Sequence, residues 1–425
     1  MAVSPEMMRI LFLLPECPYP ASTGGRLKIY NELLYLSEHH QCDILCFNHP
    51  DKLQVKELAS ALPKVRILSF SSISPGIFRL RLNKTWGLFR ALPPSLAVFF
   101  NRSYAGAVSS YIAIGDYDVV HYDIVNMAQY LPFGSSLPSV HSPNDATSLV
   151  YFRVAKYMAW SFAKMRLLIV AFLLQRFERL TYPLFTTVHV CAAEDAEYLQ
   201  QLDPTINIST IPIAISGEFL IRSQQKENRD FELGAKIICT GNLGNPAIAA
   251  GVEDFLLNAL PSIVTEVPNV QFVLLGQNTS SAFRKIIKDS SNVSFLTWVD
   301  DYRCFLAEAD IVLVPDCTGP SGAKTRAVQA MSLGLPVVGT TSALEGISLI
   351  DGEHALVYKT MHECIELVLK LLNNKKLRKI LSENAHRLAV QEFSLASVGP
   401  RYENLYIDAI SRHRSLFGGS HKDKV

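Results

Sequence analysis

No apolar run in the sequence approaches the length of a bilayer span. The longest candidate, LLIVAFLL at Leu167–Leu174, has eight residues and follows Lys164 and Arg166, whereas a spanning helix needs about 20. A secretory signal layout is missing too. In MAVSPEMMRILFLLPECPYP the run ILFLL is five residues long and meets prolines. Cysteine pairs are absent. The eight cysteines lie scattered without a CxxC, so neither a disulfide framework nor a zinc site is indicated. There is no excess of either charge: the formal net charge is +1, with 19% charged residues, which gives no general pull toward nucleic acid or acidic partners. Together these absences lead us to expect a cytoplasmic protein without a nucleic-acid partner. What is plentiful is apolar side chain, 49% of 425 residues, enough for two or three domains with substantial cores.

The apolar residues come in short runs separated by helical patterns. RILFLL (Arg9–Leu14), CDILCF (Cys42–Phe47), VRILSF (Val65–Phe70) and DVVHY (Asp118–Tyr122) are nearly continuous, the signature of strands buried on both faces of a parallel sheet. Between the first two, RLKIYNELLYLSEHH carries Leu27, Tyr30, Leu33 and Leu34 at amphipathic spacing. The pattern restarts with KIICT (Lys236–Thr240), QFVLLG (Gln271–Gly276), NVSFL (Asn292–Leu296), DIVLV (Asp310–Val314) and PVVGT (Pro336–Thr340). The polar stretch SQQKENRDFELG (Ser223–Gly234) separates the halves. We expect an α/β protein of two doubly wound Rossmann-like domains, residues 1–215 and 216–398. A last segment, 399–425, is expected to return as a helix to the first domain and end in a frayed tail.

Open α/β sheets bind ligands beyond the carboxyl ends of their strands. At the first such end, Gly24 and Gly25 stand between strand and helix in PASTGGRLKIY, with Arg26 in the first turn. Bare backbone there suits close approach of a phosphate, and it equally suits a helix start that needs glycine for its turn. In CTGNLGNPAIAAG, Thr240 and Gly241 hold the equivalent place, without the full spacing of a dinucleotide fingerprint or the ending of a P-loop. After DIVLV, a polar loop PDCTGPSGAK leads into TRAVQAMSL, which Gly334 ends. Ser321, Thr325 and Gln329 recur every four residues, and Lys324 and Arg326 lie near the helix start. A polar stripe at a positively biased helix end suits a diphosphate and a ribose; a solvated helix face has the same pattern.

PYPASTGGRLKIYNELLYLS, CAAEDAEYL, FLTWVDDYRCFLAEADIVLVPD and KTRAVQAMSLGLPVVGTTSALEGI, in this order, resemble the GT-B glycosyltransferases of family four. Within that family the chain is similar to the bacterial branch that assembles exopolysaccharide. The likeness runs from about Arg9 to Val398. It implies two Rossmann-like domains facing across a cleft, a nucleotide-sugar donor (UDP-sugar above all) on the C-terminal domain, and a glycan or polyprenyl-linked acceptor on the N-terminal one. It implies retention of anomeric configuration with no metal and no other cofactor, in keeping with the lack of a DxD-type pair at any strand end. By position, Gly24, Gly25 and Arg26 approach the diphosphate, Thr240 and Gly241 lie beside it, and Val299 lies near the base. His121 falls where relatives have a sugar-contacting histidine, with a buried structural histidine as the other reading. Asn144 and Asp145, in SPNDATS, end another strand near acceptor or donor sugar. Lys324 and Arg326 supply positive charge for the leaving group, and Gly322 belongs to the loop whose backbone serves the donor.

The chain departs from that pattern at two sites. Relatives carry glutamates eight apart where this chain has Ser321 and Gln329. A carboxylate accepts two charge-assisted hydrogen bonds from a ribose diol, whereas a glutamine offers one acceptor and one donor group. The expected loss is about 1–2 kcal/mol of donor affinity, roughly tenfold. The alternative is therefore a non-catalytic module of the same fold, its donor site degraded at Ser321 and Gln329, that binds a partner transferase or a glycan. A sugar-nucleotide epimerase is a third reading.

Two segments interleave aromatic and basic residues. Gly76–Phe100 holds Arg79, Arg81, Lys84 and Arg90 beside Phe78, Trp86 and Phe89. Tyr151–Leu180 holds Arg153, Lys156, Lys164, Arg166, Arg176 and Arg179 beside Trp160 and Phe162. Helices of this composition suit an anionic membrane interface at the inner face of the plasma membrane, or ordinary packing with solvated arginines.

Overall fold

The computed structural model describes residues 7–21, 23–48, 50–70, 93–134, 136–221, 234–279, 281–288, 290, 292–317 and 325–417. The chain forms two compact units. The first comprises residues 1–155, 159–214 and 398–425; the second comprises 156–158 and 215–397.

The sheet of the first unit contains β1 (Arg9–Leu14), β2 (Gln41–Cys46), β3 (Val65–Leu68), β4 (Val119–Asp123), β5 (Ser139–Asn144), β6 (Thr187–Val190) and β7 (Ile208–Thr210). Their order is β3-β2-β1-β4-β5-β6-β7 and every pairing is parallel. The four apolar runs read from sequence fall on β1 to β4 within two residues at each end. Strands β6 and β7 have four and three residues, too short to give a periodic signal of their own. The direction of travel reverses between β1 and β4, which makes that gap the topological switch point of the sheet.

Helix Gly24–His39 crosses from β1 to β2, capped by Thr23, whose hydroxyl accepts from the Arg26 amide at 3.4 Å. It carries a lysine and a glutamate into the interior. Lys28 and Glu32 are wholly buried and 3.0 Å apart. Lys28 also donates to the Ser142 hydroxyl at 2.5 Å, and Ser142 lies 3.0 Å from His189 Nδ1. On the other side Tyr406, from the final helix Leu395–Phe417, donates to Glu32 at 2.5 Å. That commits the only hydroxyl proton of Tyr406, so the 2.7 Å contact with His121 must have Nδ1–H of the imidazole donating. Burial works against the ammonium of Lys28, but Glu32 and Asp123 more than offset it, and the lysine holds its proton more firmly than usual.

The second unit has β8 (Lys236–Asn242), β9 (Gln271–Gln277), β10 (Val293–Leu296), β11 (Ile311–Val314), β12 (Val337–Thr340) and β13 (Leu356–Tyr358) in the order β10-β9-β8-β11-β12-β13, again all parallel. Its switch point lies between β8 and β11. The helical run Pro246–Glu266 has the length and apolarity of a membrane span, which the search for uninterrupted apolar runs missed. Val252, Phe255, Leu256, Ala259, Leu260 and Ile263 on it pack into the core under the sheet. Gly251 on this run is required by contact: a Cβ there would stand 1.8 Å from the Pro315 carbonyl oxygen.

Three buried histidines contribute to the acid response of the first unit. Burial pushes His121 and His141 down to about 3 and His189 well below its ordinary range. The unfolded chain binds these protons near pH 6.5 and the folded one only well below that, near 3 for His121 and His141, so their contribution to stability is lost as pH falls below 6.5. His141 lies 4.7 Å from the Phe185 ring and donates to the Tyr122 carbonyl at 2.9 Å. His141→Phe should lower the slope of unfolding free energy against pH between 4 and 6 by one proton, about 1.4 kcal/mol per pH unit. Denaturant unfolding followed by circular dichroism across that range measures it.

Candidate functional site

In the second unit the carboxyl ends of β8 and β11 flank the switch point, and one side chain ties them together. Arg326, on helix Thr325–Ser332, donates to the Thr240 carbonyl at the end of β8 and to the Asp316 carboxylate just past β11. The Asp316 side chain is 2% exposed and the Arg326 side chain 13%. Thr240 is fixed further by its hydroxyl, 3.0 Å from the Tyr302 hydroxyl. A Cβ on Gly241 would come within 2.8 Å of Arg326 and 2.9 Å of Ile248, so glycine is what allows the guanidinium in. Beyond it Asn242 accepts from the Gly244 amide and from Asn278, each at 3.0 Å, which closes the turn.

The structure thus brings Thr240, Gly241 and Arg326 into contact. It also corrects the part given to Arg326. Its charge is paired with Asp316, and two of its N–H groups are committed within the protein, so it serves as a strut for the strand end and not as a free cation for a diphosphate. Gln329 is half-buried on the same helix, one turn on. Val299 is half-buried in the loop after β10, and that loop is anchored to Thr240 through Tyr302. Ser321, Gly322 and Lys324 lie outside the described residues. A separate cavity of about 310 Å³ opens at the ends of β11, β12 and β13, lined by Asp254, Cys317, Thr340, Thr341, Ser342 and Lys359 among others. It lies across β11 from the switch point and contains none of the residues read from sequence.

In the first unit Gly24 and Gly25 do begin the helix after β1. Gly25 is exposed, and a Cβ there would come 3.9 Å from the Asn144 amide nitrogen, so these two strand ends are neighbours. Arg26 is not a free charge: Glu16 takes it in a bidentate pair at 2.8 and 2.6 Å. Asn144 ends β5 with a φ of +73°, and Ile124 follows β4 with a φ of +50°. Positive φ is costly for a branched residue such as isoleucine, and such backbone clusters at functional sites. Asp145 is half-buried and engaged by neighbouring groups. His121 is corrected outright. It is wholly buried, its Nδ1 is held by Tyr406, and burial keeps it neutral, which is the structural histidine of the two readings.

The reading from sequence missed Asp123 and Asp316. Each stands at the end of the strand that opens the far side of a switch point, and both are in plain view in VVHYD and LVPD. Asp123 is 4% exposed, its Oδ1 has no hydrogen-bond partner, and burial raises its pKa to about 6.

Comparison with known proteins follows the same division. Residues 234–374 match the family model described as Glycosyl transferases group 1. That is about a third of the chain. The lipopolysaccharide core biosynthesis glycosyltransferase LpsE of Rhizobium meliloti (strain 1021) is 28% identical over 160 residues, which are 36% of this chain and 46% of LpsE. The aligned part thus spans less than half of that relative. Among solved structures, sucrose-phosphate synthase from Thermosynechococcus elongatus superposes with a TM-score of 0.65 at 16% identity, over 97% of this chain and 100% of its own. HepE of Anabaena, in complex with UDP and glucose, superposes with a TM-score of 0.64 at 15% identity, over 93% and 98%. The fold is GT-B, two Rossmann-like domains each built on a parallel sheet.

Arg326→Met leaves the Asp316 carboxylate buried without its counter-charge and should destabilise the second unit by about 3–5 kcal/mol. Adding Asp316→Asn should restore a large part of that loss. Thermal unfolding of the single and double variants measures both effects.

Proposed function

We propose that this chain is a group 1 glycosyltransferase that moves a sugar from a nucleoside diphosphate donor, preferably a UDP-sugar, to a glycan or polyprenyl-linked acceptor in surface polysaccharide assembly. The observation that carries this reading is the strand end at Thr240–Gly241. It lies inside the segment matched to the glycosyltransferase model, at the switch point of its sheet. A half-buried arginine braces it from the helix that also bears Gln329. Such an edge offers backbone donors and a hydroxyl to a diphosphate, and an amide side chain to a ribose diol. The descriptions of LpsE as a lipopolysaccharide core enzyme and of HepE as a complex with UDP and glucose support the donor and acceptor classes.

In this reading the second unit holds the donor, and transfer retains configuration without a metal, as in the family-four transferases of the exopolysaccharide branch. Gly24 and Gly25 bring backbone to the diphosphate, Val299 contacts the base, and Asn144 and Asp145 meet a sugar. With Arg326 and Arg26 both engaged inside the protein, the cation left for the leaving group among the residues read from sequence is Lys324. The reaction belongs to the cytoplasm, where nucleotide sugars are made.

Ligand-observed NMR of the purified protein against UDP, GDP, ADP and dTDP, with Gln329→Glu in parallel, tests the donor site. Selective binding of UDP, about tenfold tighter in the glutamate variant, is the expected result. If neither protein binds any of the four at millimolar concentration, the chain is instead a non-catalytic module of this fold. Turnover of a sugar nucleotide without an acceptor would make it an epimerase.

A further inference from the structure

Helix Phe162–Thr181, in the first unit, is apolar on two opposite faces. One face carries Ala171, Leu174 and Phe177 into the core. The other carries Phe162, Met165, Ile169, Phe172 and Leu180, which are 70%, 46%, 52%, 59% and 59% exposed. Trp160 just before the helix is 80% exposed, and Leu184 just after it is 68% exposed. The steps of three, four and three from Phe162 to Phe172 keep these side chains on one outward stripe. Phe152, from the preceding helix, extends it with its ring 5.1 Å from Phe172. An outward helix face in water normally carries polar side chains. A contiguous apolar one marks a surface that something covers.

The charges around the stripe identify what covers it. From Thr147 to Phe177 there is no aspartate or glutamate, while Arg153, Lys156, Lys164, Arg166 and Arg176 all fall in that stretch. The whole chain is nearly balanced, with 40 basic and 39 acidic residues, so this is a local segregation. Arg166 and Arg176 are exposed. Arg176 lies on the apolar stripe itself by helical spacing, and Lys164 places its ammonium 5.3 Å from the Trp160 ring centre. A second copy of the chain fits poorly, because a two-fold contact through this stripe would set one cationic rim against another.

We propose that this face docks on an anionic lipid surface. Phe162, Met165, Ile169 and Phe172 enter the boundary between headgroups and acyl chains, and Arg166 and Arg176 reach back to lipid phosphates. The helix lies in the plane of the surface, because its opposite face is already committed to the protein core. Half of the basic and aromatic sequence pattern, within 71–92, lies outside the described residues and is not needed for this inference. It does not rest on the proposed transfer reaction.

The test is sedimentation of the full chain with vesicles of pure phosphatidylcholine and with vesicles containing 30% phosphatidylglycerol, at low and high salt. Binding at least tenfold stronger to the anionic vesicles, weakened by salt, is expected. Ile169→Glu with Phe172→Glu changes only exposed side chains. It should remove binding while leaving the thermal unfolding midpoint unchanged. Arg166→Gln with Arg176→Gln should erase the preference for anionic lipid. Equal sedimentation with both vesicle types, retention of binding by the double glutamate variant, or a dimer in light scattering that this variant dissociates would each overturn the proposal. No donor or acceptor enters the assay, so its failure leaves the transfer reading standing.

Discussion

The first unit is organised around an ammonium that has no access to water. Lys28 is tolerable there only because Glu32 stands one helical turn away as its counter-charge and Ser142 comes from β5 to accept a hydrogen bond. Glu32 in turn needs a donor, and Tyr406 supplies it from the other end of the chain. Removing one partner would leave a buried charge exposed to low dielectric with nothing to compensate it, which costs several kcal/mol. The network therefore does more than fill the space between helix and sheet. It makes the fold of residues 9–214 depend on a helix that closes nearly two hundred residues later.

The second unit meets the same constraint with different residues. Asp316 is buried past the end of β11, and Arg326 answers it while also holding the Thr240 carbonyl at the end of β8. The pair fixes the two strand ends that flank the switch point, where a ligand of this type of sheet is received. A ligand site built this way is pre-organised, and its geometry does not have to be assembled on binding. The consequence is chemical as well as structural. An arginine engaged with a buried carboxylate contributes position but little free charge to whatever meets this strand end.

Helix Phe162–Thr181 shows why apolar content alone is a poor guide to what a segment does. Run Pro246–Glu266 is more continuously apolar, and its large side chains go into the core of a sheet. The helix at Phe162 has charges interrupting it, yet it leaves Phe162, Met165, Ile169, Phe172 and Leu180 in solvent, where the other run leaves Leu257. What separates them is whether a sheet is there to receive each face.

Much of the fold was legible in the residues themselves. Nearly continuous runs of Val, Ile and Leu four to seven long have little choice but to be strands of a parallel sheet covered on both sides, and β1 to β4 and β8 to β12 were all found this way. The short strands β6, β7 and β13 were not, because polar residues interrupt TVHV and IST and LVY is only three residues long. At the site, Gly241 was legible as a position that wants no side chain, since a Cβ there would stand 2.8 Å from the Arg326 guanidinium, whereas Gly25 has room for one. The parts played by Arg26, His121 and Arg326 were not. A charged or titratable side chain declares what it is capable of, but whether it faces a ligand or a buried partner depends on which strand ends the topology brings together. Sequence alone determined two parallel sheets and the loops at their edges. The tertiary structure decided which polar groups were engaged inside, because the partner of a side chain such as His121, the Tyr406 hydroxyl from the far end of the chain, is set by which elements pack together and not by its sequence neighbours.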